Sequence, residues 1–324
     1  MRAFITGGTG FIGSRLIREM AGRGYELRCL ARKSSPAQVV DDIGAEKIIG
    51  DVTDRKSLIE GMQGVDLVVN LANVYSFWEP DKSVFQKVNV EGTRLVMECA
   101  LELGIGKVVH ISTCGIWGKP SRLPFTEDTL PGPERFSQYF QTKYEGDVIT
   151  WELFKTSGLP VVMVYPVSVL GPGDPKASGQ YIRRLVTGGM PARVFEDSTF
   201  TFVDVGDVAE IIIRAAEKPD NVGEKYIAGN HRYTFGELNR MVSEISGVPL
   251  PRLAMPDFMV MANARLLTML AGLTKRPPLW DMSVGLMQVM QAGAAADGTK
   301  AERELGVSYR PIRETIAETV ASIQ

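Results

Sequence analysis

The stretch TGGTGFIG occupies residues 6–13 and follows the short apolar run 3–5 at the start of the 324-residue chain. Its spacing predicts a glycine turn between a β-strand and an α-helix. Gly7 permits the sharp turn, Gly10 lets backbone amides approach a pyrophosphate, and Gly13 allows the helix to pack closely on the strand. The positive end of the helix would face the phosphates. The predicted dinucleotide contacts in this stretch are Gly7, Thr9, Gly10, Phe11, Ile12 and Gly13.

Short apolar runs alternate with helix-length segments from this turn to residue 165. The runs are residues 4–6, 27–31, 47–50, 65–70, 107–112 and 160–165, and the longer segments include 11–21, 83–103 and 135–155. Apolar runs flanked by Gly, Pro or Asp are typical of buried parallel strands. Their alternation with helices predicts an α/β protein with a Rossmann, doubly wound parallel sheet and helices on both faces.

Beyond residue 165 this alternation weakens, and the clearest predicted helices are 207–217, 235–246 and 312–323. We therefore expect residues 1–165 to form the nucleotide-binding core. Residues 166–324 are expected to form a smaller, mostly helical substrate-binding region, with segments such as 200–228 returning to the core.

The segment 255–290 differs from the rest of the chain because it holds seven of the 14 methionines, many Leu and Ala residues, and the breaker KRPP at 275–278. This pattern predicts two apolar helices joined by a proline turn. Three interpretations remain open. The helices pack on the body of the protein, they form an adaptable apolar wall over a substrate with Met259 and Leu266 facing it, or they rest on a membrane surface.

The overall charge argues against some partners. Lys and Arg number 36 and Asp and Glu 38, which gives a net charge of −2, so no basic footprint for nucleic acid is expected. The three cysteines, Cys29, Cys99 and Cys114, are widely spaced in apolar runs and are predicted to be buried, reduced thiols in a cytoplasmic protein. No apolar stretch has the length of a membrane-spanning helix.

The second predicted strand ends at Ala31, where an enzyme that prefers NAD would carry Asp or Glu to bind the ribose hydroxyls. This chain has Arg32, Lys33 and Ser34 instead. A 2′-phosphate needs a cation and hydrogen-bond donors, whereas a carboxylate would repel it. The turn therefore favours NADP, with an ordinary solvated basic turn as the alternative.

Tyr139 and Lys143 are four residues apart in a predicted helix, so both side chains lie on one face. An ammonium group near a phenol favours the phenolate and is expected to lower the tyrosine pKa, which allows proton exchange with an alcohol or ketone. Ser112 and Thr113 end the strand 107–112, where a hydroxyl can bind a reacting carbonyl. His110 lies within that strand and is predicted to be a core residue, and no metal ion is expected.

Together these motifs resemble those of the extended (atypical) short-chain dehydrogenase/reductase family. Within that family they are similar to the NAD-dependent epimerases and dehydratases. TGGTGFIG matches its TGxxGxxG motif, and residues 139–143 match YxxxK. The resemblance implies that Tyr139 is the proton donor, that Lys143 binds the nicotinamide ribose, and that Thr113 orients the carbonyl.

The same resemblance assigns further cofactor contacts. GDVTD at 50–54 is similar to the segment that recognises the adenine, NLAN at 70–73 to the strand end that borders the cofactor, and YPVSVLGPG at 165–173 to the loop that contacts the nicotinamide. The residues so implied are Asp51, Val52, Leu71, Ala72, Asn73, Pro166 and Val167.

Within the family, LARKSS at 30–35, FTFVDVGDVAE at 200–210 and the apolar C-terminal section look most like the dihydroflavonol-reductase, 3β-hydroxysteroid-dehydrogenase and hopanoid-associated epimerase-like branch. The implied function is an NADP-dependent oxidoreductase that transfers a hydride between nicotinamide and a ketone or secondary alcohol of a small apolar molecule. An epimerase or dehydratase that retains its cofactor, and a non-catalytic NADP-sensing protein, are the alternatives. Many members of this family pair through a four-helix interface, and the matching helices here are 83–103 and 135–155. The resemblance therefore implies a homodimer.

Overall fold

The computed structural model describes residues 1–36 and 38–324. Its strands are β1 (Arg2–Thr6), β2 (Glu26–Ala31), β3 (Glu46–Ile49), β4 (Leu67–Asn70), β5 (Lys107–Ile111), β6 (Val161–Pro166), β7 (Ser168–Leu170), β8 (Thr199–Asp204), β9 (Lys225–Ala228) and β10 (His231–Thr234).

The helices are α1 (Phe11–Gly22), α2 (Gln38–Asp42), α3 (Arg55–Met62), α4 (Ser83–Phe85), α5 (Thr93–Glu102), α6 (Gln138–Ser157), α7 (Ala177–Val186), α8 (Val205–Glu217), α9 (Phe235–Ser246), α10 (Asp257–Thr274), α11 (Val284–Ala292), α12 (Thr299–Leu305) and α13 (Ile312–Ala321). A π-helical stretch, Gln86–Gly92, joins α4 to α5. Short 3-10 turns are formed by Cys114–Trp117 and Leu279–Asp281.

Seven parallel strands form the central sheet in the order β3-β2-β1-β4-β5-β6-β9. The chain leaves β1 toward β2 and β3, then crosses back to place β4 on the other side of β1. Helix α1 packs against α8, while α5 packs against α3 and α6. The predicted Rossmann, doubly wound sheet is confirmed. Its reversal between β1 and β4 creates the crevice where such folds bind ligands.

The inner strands of this sheet form because their side chains are apolar on both faces. Every residue of β4 and of β6 is buried, including the Val161 to Val164 stretch of fully enclosed side chains. Parallel strands covered by helices on each side require such continuous apolar sequences. The cysteines Cys29, Cys99 and Cys114 are all buried and free, as the sequence predicts.

A second sheet of three strands follows the order β10-β8-β7, with β7 parallel and β10 antiparallel to β8. It supports a separate apolar core in which Phe200 and Phe202 of β8 meet Phe235 and Leu238 of α9. The sequence reasoning did not predict this sheet. The position of the domain boundary at residues 165 and 166 stays a prediction, although β9 does pair with β6 in the central sheet.

The segment 255–290 contains two helices, α10 and α11, separated by the proline-containing turn. Both contribute to the second apolar core, through Val260 and Ala264 of α10 and through Met287 and Met290 of α11. Across residues 1–36 and 38–324, no helix is long and apolar enough to cross a membrane.

Close packing of α3 on the central sheet gives a test of the fold. A Cβ at Gly61 would lie 2.1 Å from the ring of Phe4, which is fully buried in β1. Gly61→Ala should therefore lower the free energy of unfolding by about 1–3 kcal/mol through overpacking. In the control Gly22→Ala, the new Cβ meets nothing within 4 Å, and stability should be unchanged or rise by up to about 1 kcal/mol. Urea unfolding measures both, and equal stabilities would contradict this packing.

Candidate active site

A cavity of about 1350 Å³ opens along the carboxyl edge of the central sheet. Residues that follow β1, β2, β4, β5 and β6 line one part of it, and residues of α7, β8 and α11 line another. The cavity therefore lies at the strand-order reversal and between the two apolar cores, where doubly wound folds bind nucleotides.

The glycine turn forms the start of this cavity, and its geometry admits no larger side chains. Gly7 has a φ of +71°, and a Cβ there would lie 2.7 Å from the backbone nitrogen of Ala72. A Cβ at Gly13 would lie 2.1 Å from the carbonyl oxygen of Gly7. Helix α1 begins at this turn with no side-chain cap on its first amides among the described residues. These features fit a dinucleotide pyrophosphate at the positive end of α1.

The structure brings most of the predicted cofactor contacts into this single cavity. Those that line it are Gly7, Thr9, Gly10, Phe11, Ile12, Gly13, Arg32, Ser34, Asp51, Val52, Leu71, Ala72, Asn73, Tyr139, Pro166 and Val167. Lys33 and Lys143 do not line it: Lys33 is exposed on the turn after β2, and Lys143 is buried behind the wall.

Polar contacts hold the wall beside β4. The amide of Asn73 donates to the carbonyl of Leu71 at 2.9 Å, while its buried Oδ1 has no partner within the described part of the chain. The next residue, Val74, donates its backbone N–H to Oδ1 of Asn89 at 2.7 Å. Asn89 belongs to the π-helical stretch and also donates to Thr142 of α6. A π-helical turn frequently marks a functional site, and this one ties the cavity wall to α6.

Two of the three predicted catalytic residues face the cavity. Thr113 lies just after β5, where its Oγ1 accepts a hydrogen bond from the backbone of Gly115 at 3.2 Å. Tyr139 lies in the first turn of α6 among aromatic rings, with the Tyr75 ring 5.0 Å away and that of Phe77 6.3 Å away. Ser137 caps α6 by accepting from Phe140 and so fixes where this turn begins.

Lys143 sits one turn further along α6 and is buried. Its Nζ donates to the carbonyl oxygen of Ile111, at the end of β5, at 2.9 Å. Burial lowers the pKa of Lys143 to about 8, and the nearby Asp147 carboxylate opposes that effect. The spacing of four residues does place Tyr139 and Lys143 on the same buried face of α6.

The expected lowering of the Tyr139 pKa is not found. Burial raises the pKa of its phenol well above the ordinary value, and the neighbouring Tyr75, Cys114 and Asp147 raise it further. Because the ring is enclosed by apolar and aromatic groups, the phenolate is poorly solvated. Tyr139 is therefore held in its protonated form.

A buried polar chain behind Tyr139 links the strands to α6. Thr6 donates to Asn70 at 2.6 Å, and the Asn70 amide lies 3.1 Å from Nδ1 of His110. The other ring nitrogen of His110 lies 3.5 Å from Oδ1 of Asp147, whose Oδ2 accepts from Ser112 at 2.7 Å. Burial and the nearby Lys143 lower the pKa of His110, which favours a neutral ring. Because the Asn70 amide faces Nδ1, the ring proton is assigned to Nε2, which lies near Asp147 without a hydrogen bond of regular geometry.

Asp147 and its partners were missed by the sequence reasoning. His110 was predicted to be a core residue, and it is fully buried, but it also belongs to this chain of polar groups. The signal for Asp147 was available, because it lies four residues after Lys143 and continues the same helical face.

The glycine turn, the Tyr139 and Lys143 pair and the strand-end loops all fall within one region of the sequence. The model of the NAD dependent epimerase/dehydratase family matches residues 3–229, which is more than half of the chain. The chain belongs to this family. The resemblance to extended short-chain dehydrogenases/reductases is thereby confirmed, and the chain is an enzyme that uses a nicotinamide cofactor.

Named proteins of other organisms are similar to this chain, two of them over nearly its whole length and one over about half. Sterol demethylase protein B of Methylococcus capsulatus is 31% identical over 99% of this chain and 98% of its own. A putative dihydroflavonol 4-reductase of Synechocystis is 28% identical over 98% of this chain and 93% of its own. A 4-hydroxy-2-methyl-3-oxo-4-farnesyl-3,4-dihydroquinoline-1-oxide ketoreductase of Stigmatella aurantiaca is 33% identical over 54% of this chain and 52% of its own.

A solved structure shares the fold of this chain. The crystal structure of gox2253 superposes with a TM-score of 0.84 at 32% identity, and the match covers 99% of this chain and 97% of that one. The fold of this chain is therefore that of the gox2253 structure over nearly the whole length of both.

The charge of Asp147 gives a test of the site. Asp147→Asn should lower the pKa of Lys143 below about 8, because the amide no longer opposes the effect of burial. The ammonium charge is present below this pKa and is lost as pH rises through it. If Lys143 holds the nicotinamide ribose, cofactor affinity should begin to fall at a lower pH in the variant than in the wild type.

Fluorescence titration with NADPH from about pH 6 to 10 measures that midpoint. Glu152→Gln, which removes an exposed carboxylate from the same helix, is the control and should leave it unchanged. An identical midpoint in Asp147→Asn and wild type would show that Asp147 does not set the charge of Lys143.

Proposed function

We propose that this enzyme is an NADP-dependent oxidoreductase that transfers a hydride between nicotinamide and a ketone or secondary alcohol of a small apolar molecule. One observation carries the proposal: Tyr139 and Thr113 line the same cavity as the glycine turn, directly beside an apolar wall. Val289 of α11 packs against both the aromatic cluster of Tyr139 and the second apolar core, which joins the two halves of the cavity.

In this proposal the nicotinamide, when bound, would supply or accept the hydride. Side chains of the protein would supply or accept the proton. Tyr139 is held protonated by its surroundings, so it can donate to the oxygen of a ketone. The Thr113 hydroxyl lies after β5 on the cavity wall, where it can hold that oxygen. Lys143 carries a positive charge beneath them, and Asp147 balances that charge.

The walls beyond Tyr139 favour an apolar substrate. Helix α11 contributes Leu286, Met287 and Met290, and β8 contributes Phe200 and Phe202. Arg184, a cation at this end, is bound to Asp281 at 2.6 Å. A sugar nucleotide would need cations for its pyrophosphate, and this end of the cavity offers Arg184, which is already paired, and Lys176 just before α7. Because most of the lining is apolar, a hydrophobic molecule fits it better. The relatives named for a sterol and for a farnesylated ketone support the same substrate class.

The wall is not formed by all of the residues that the sequence suggested. Met255, Met282, Met287 and Met290 line the cavity, so α11 and the ends of the segment 255–290 form the substrate wall. Met259 and Leu266 are exposed on α10 and do not line the cavity. The prediction that these two residues face the substrate is wrong, because their helix turns them outward.

The residues of the turn after β2 support NADP as the cofactor in this proposal. Arg32 and Ser34 both line the cavity there, and the residues that follow Ala31 carry no carboxylate as far as Ser35. A guanidinium and a hydroxyl suit a 2′-phosphate.

We further propose a cytoplasmic homodimer. Helices α5 and α6 pack side by side, and α6 exposes the apolar side chain of Val148, as a pairing face would. Three free, buried cysteines suit a reducing compartment.

Cofactor preference tests the role of Arg32. NADPH should bind at least about tenfold tighter than NADH, a difference of about 1.4 kcal/mol, and Arg32→Ala should remove most of that preference. Lys33→Ala, next to it but outside the cavity, is the matched control and should have a smaller effect. Equilibrium titration of both cofactors into the three proteins is the measurement. A wild-type preference for NADH would overturn the assignment of NADP.

Removing the transferable proton tests the reaction. Tyr139→Phe should retain fold and cofactor affinity while turnover of ketones falls at least about 100-fold. Tyr144→Phe is the control, because Tyr144 packs under the Arg135 guanidinium away from the cavity. NADPH consumption is followed with a panel of ketones of increasing apolar size. Substrate isomerisation without net consumption would identify an epimerase, and binding without any turnover would identify a sensor.

A further inference from the structure

Helix α10 is apolar on both of its faces although it lies at the surface. Its inner face packs into the second core through Val260 and Ala264, which are fully buried. A helix that is hydrophobic all round is normally covered on all sides. Here one side is open, so something outside the described fold is expected to cover it.

The open side is a continuous apolar stripe. Phe258, Met269 and Leu273 are 74%, 59% and 75% exposed, and Met259, Leu266 and Leu270 lie beside them with about half of each side chain exposed. Spacings of three, four and seven residues place these six side chains on one helical face. We call this set the outer stripe. It runs along a helix of 18 residues, about 27 Å long.

Exposed cations surround the outer stripe. Residues 251–280 contain Arg252, Arg265, Lys275 and Arg276 against the single acid Asp257, a net charge of +3 in a chain whose total is −2. All four cations are exposed. The segment that carries the outer stripe is therefore positively charged, although the chain as a whole is slightly negative.

The turn that follows α10 reaches the mouth of the cavity. Trp280 is both exposed and part of the cavity lining, which places it at the rim. Its backbone carbonyl accepts from Arg184 at 2.6 Å, so the turn that carries it is anchored to α7. An aromatic ring at such a rim is typical of side chains that sit at a membrane interface.

We propose that α10 is an interfacial helix by which the protein docks on the surface of an anionic lipid bilayer. The outer stripe enters the acyl boundary, and the four cations meet the lipid phosphates. The helix lies in the plane of the membrane, with Trp280 and the cavity rim at the lipid surface. An apolar molecule dissolved in the bilayer then enters the cavity without crossing water.

The charge pattern argues against a second copy of the chain as the occupant. In a twofold dimer the same patch meets itself, so each cation would face a patch that carries four cations and one acid. Like charges in such an interface repel, whereas anionic headgroups neutralise them. A bilayer therefore satisfies both the apolar stripe and its cationic border.

Vesicle flotation of the full-length protein tests the proposal. Wild type should float with vesicles of phosphatidylcholine and phosphatidylglycerol in equal parts, bind vesicles of phosphatidylcholine alone much less, and lose binding as salt rises. The double variant Leu266→Ser with Leu273→Ser, and the double variant Lys275→Glu with Arg276→Glu, should each reduce partitioning at least about tenfold. Both pairs are exposed, so urea unfolding of the variants should match wild type.

Matched controls lie elsewhere on the surface. Leu130→Ser removes a leucine that is 81% exposed, and Lys56→Glu reverses an exposed charge on α3, so both proteins should bind as wild type does. Tyr139→Phe should also bind normally, which separates this proposal from the proposed reaction. Equal flotation of the outer-stripe variant and wild type, or no flotation of wild type, would overturn the proposal. A wild-type dimer that Leu266→Ser with Leu273→Ser converts to monomer, without vesicle binding, would assign the stripe to a second copy.

Discussion

The rest of the site depends on the buried positive charge of Lys143. An ammonium group removed from water must find an acceptor and a counterion, and here the Ile111 carbonyl and the Asp147 carboxylate supply them. Asp147 in turn is held by Ser112 and faces His110, which leads through Asn70 to Thr6. These polar contacts link β1, β4 and β5 to α6. The surroundings of the buried charge therefore depend on the strand order that brings these residues together.

The parts of the molecule that depend on local sequence were predictable. Buried parallel strands need continuous apolar runs, the glycine turn needs residues without Cβ atoms, and a spacing of four puts Tyr139 and Lys143 on one helical face. The three-stranded sheet was missed because β7 and β10 are short and both pair with β8 across long separations in the chain. The direction of the Tyr139 pKa was also wrong, because it depends on rings from Tyr75 and Phe77 that only the folded chain brings together. Likewise, periodicity could not decide which face of α10 is buried, since both faces are apolar.

Each of the two apolar cores supports a different wall of the cavity. The core around the central sheet fixes the glycine turn and the strand ends through close backbone contacts, such as that between Gly7 and Ala72. The second core presents flexible side chains, among them Met287 and Met290, on the opposite wall. Methionine adapts to irregular shapes at low cost, whereas a glycine turn tolerates no change. Under the proposed function, substrate choice can therefore vary on one wall while cofactor geometry stays fixed on the other.

Cys114, between Thr113 and Gly115, lies in the cavity wall and is buried. Burial raises the pKa of its thiol to about 12, so the reactive thiolate is scarce at neutral pH. A reagent reaches this sulfur only by passing through the space that cofactor and substrate would fill. Its rate of alkylation consequently reports whether the cavity is filled, because a molecule bound there blocks the path to the sulfur.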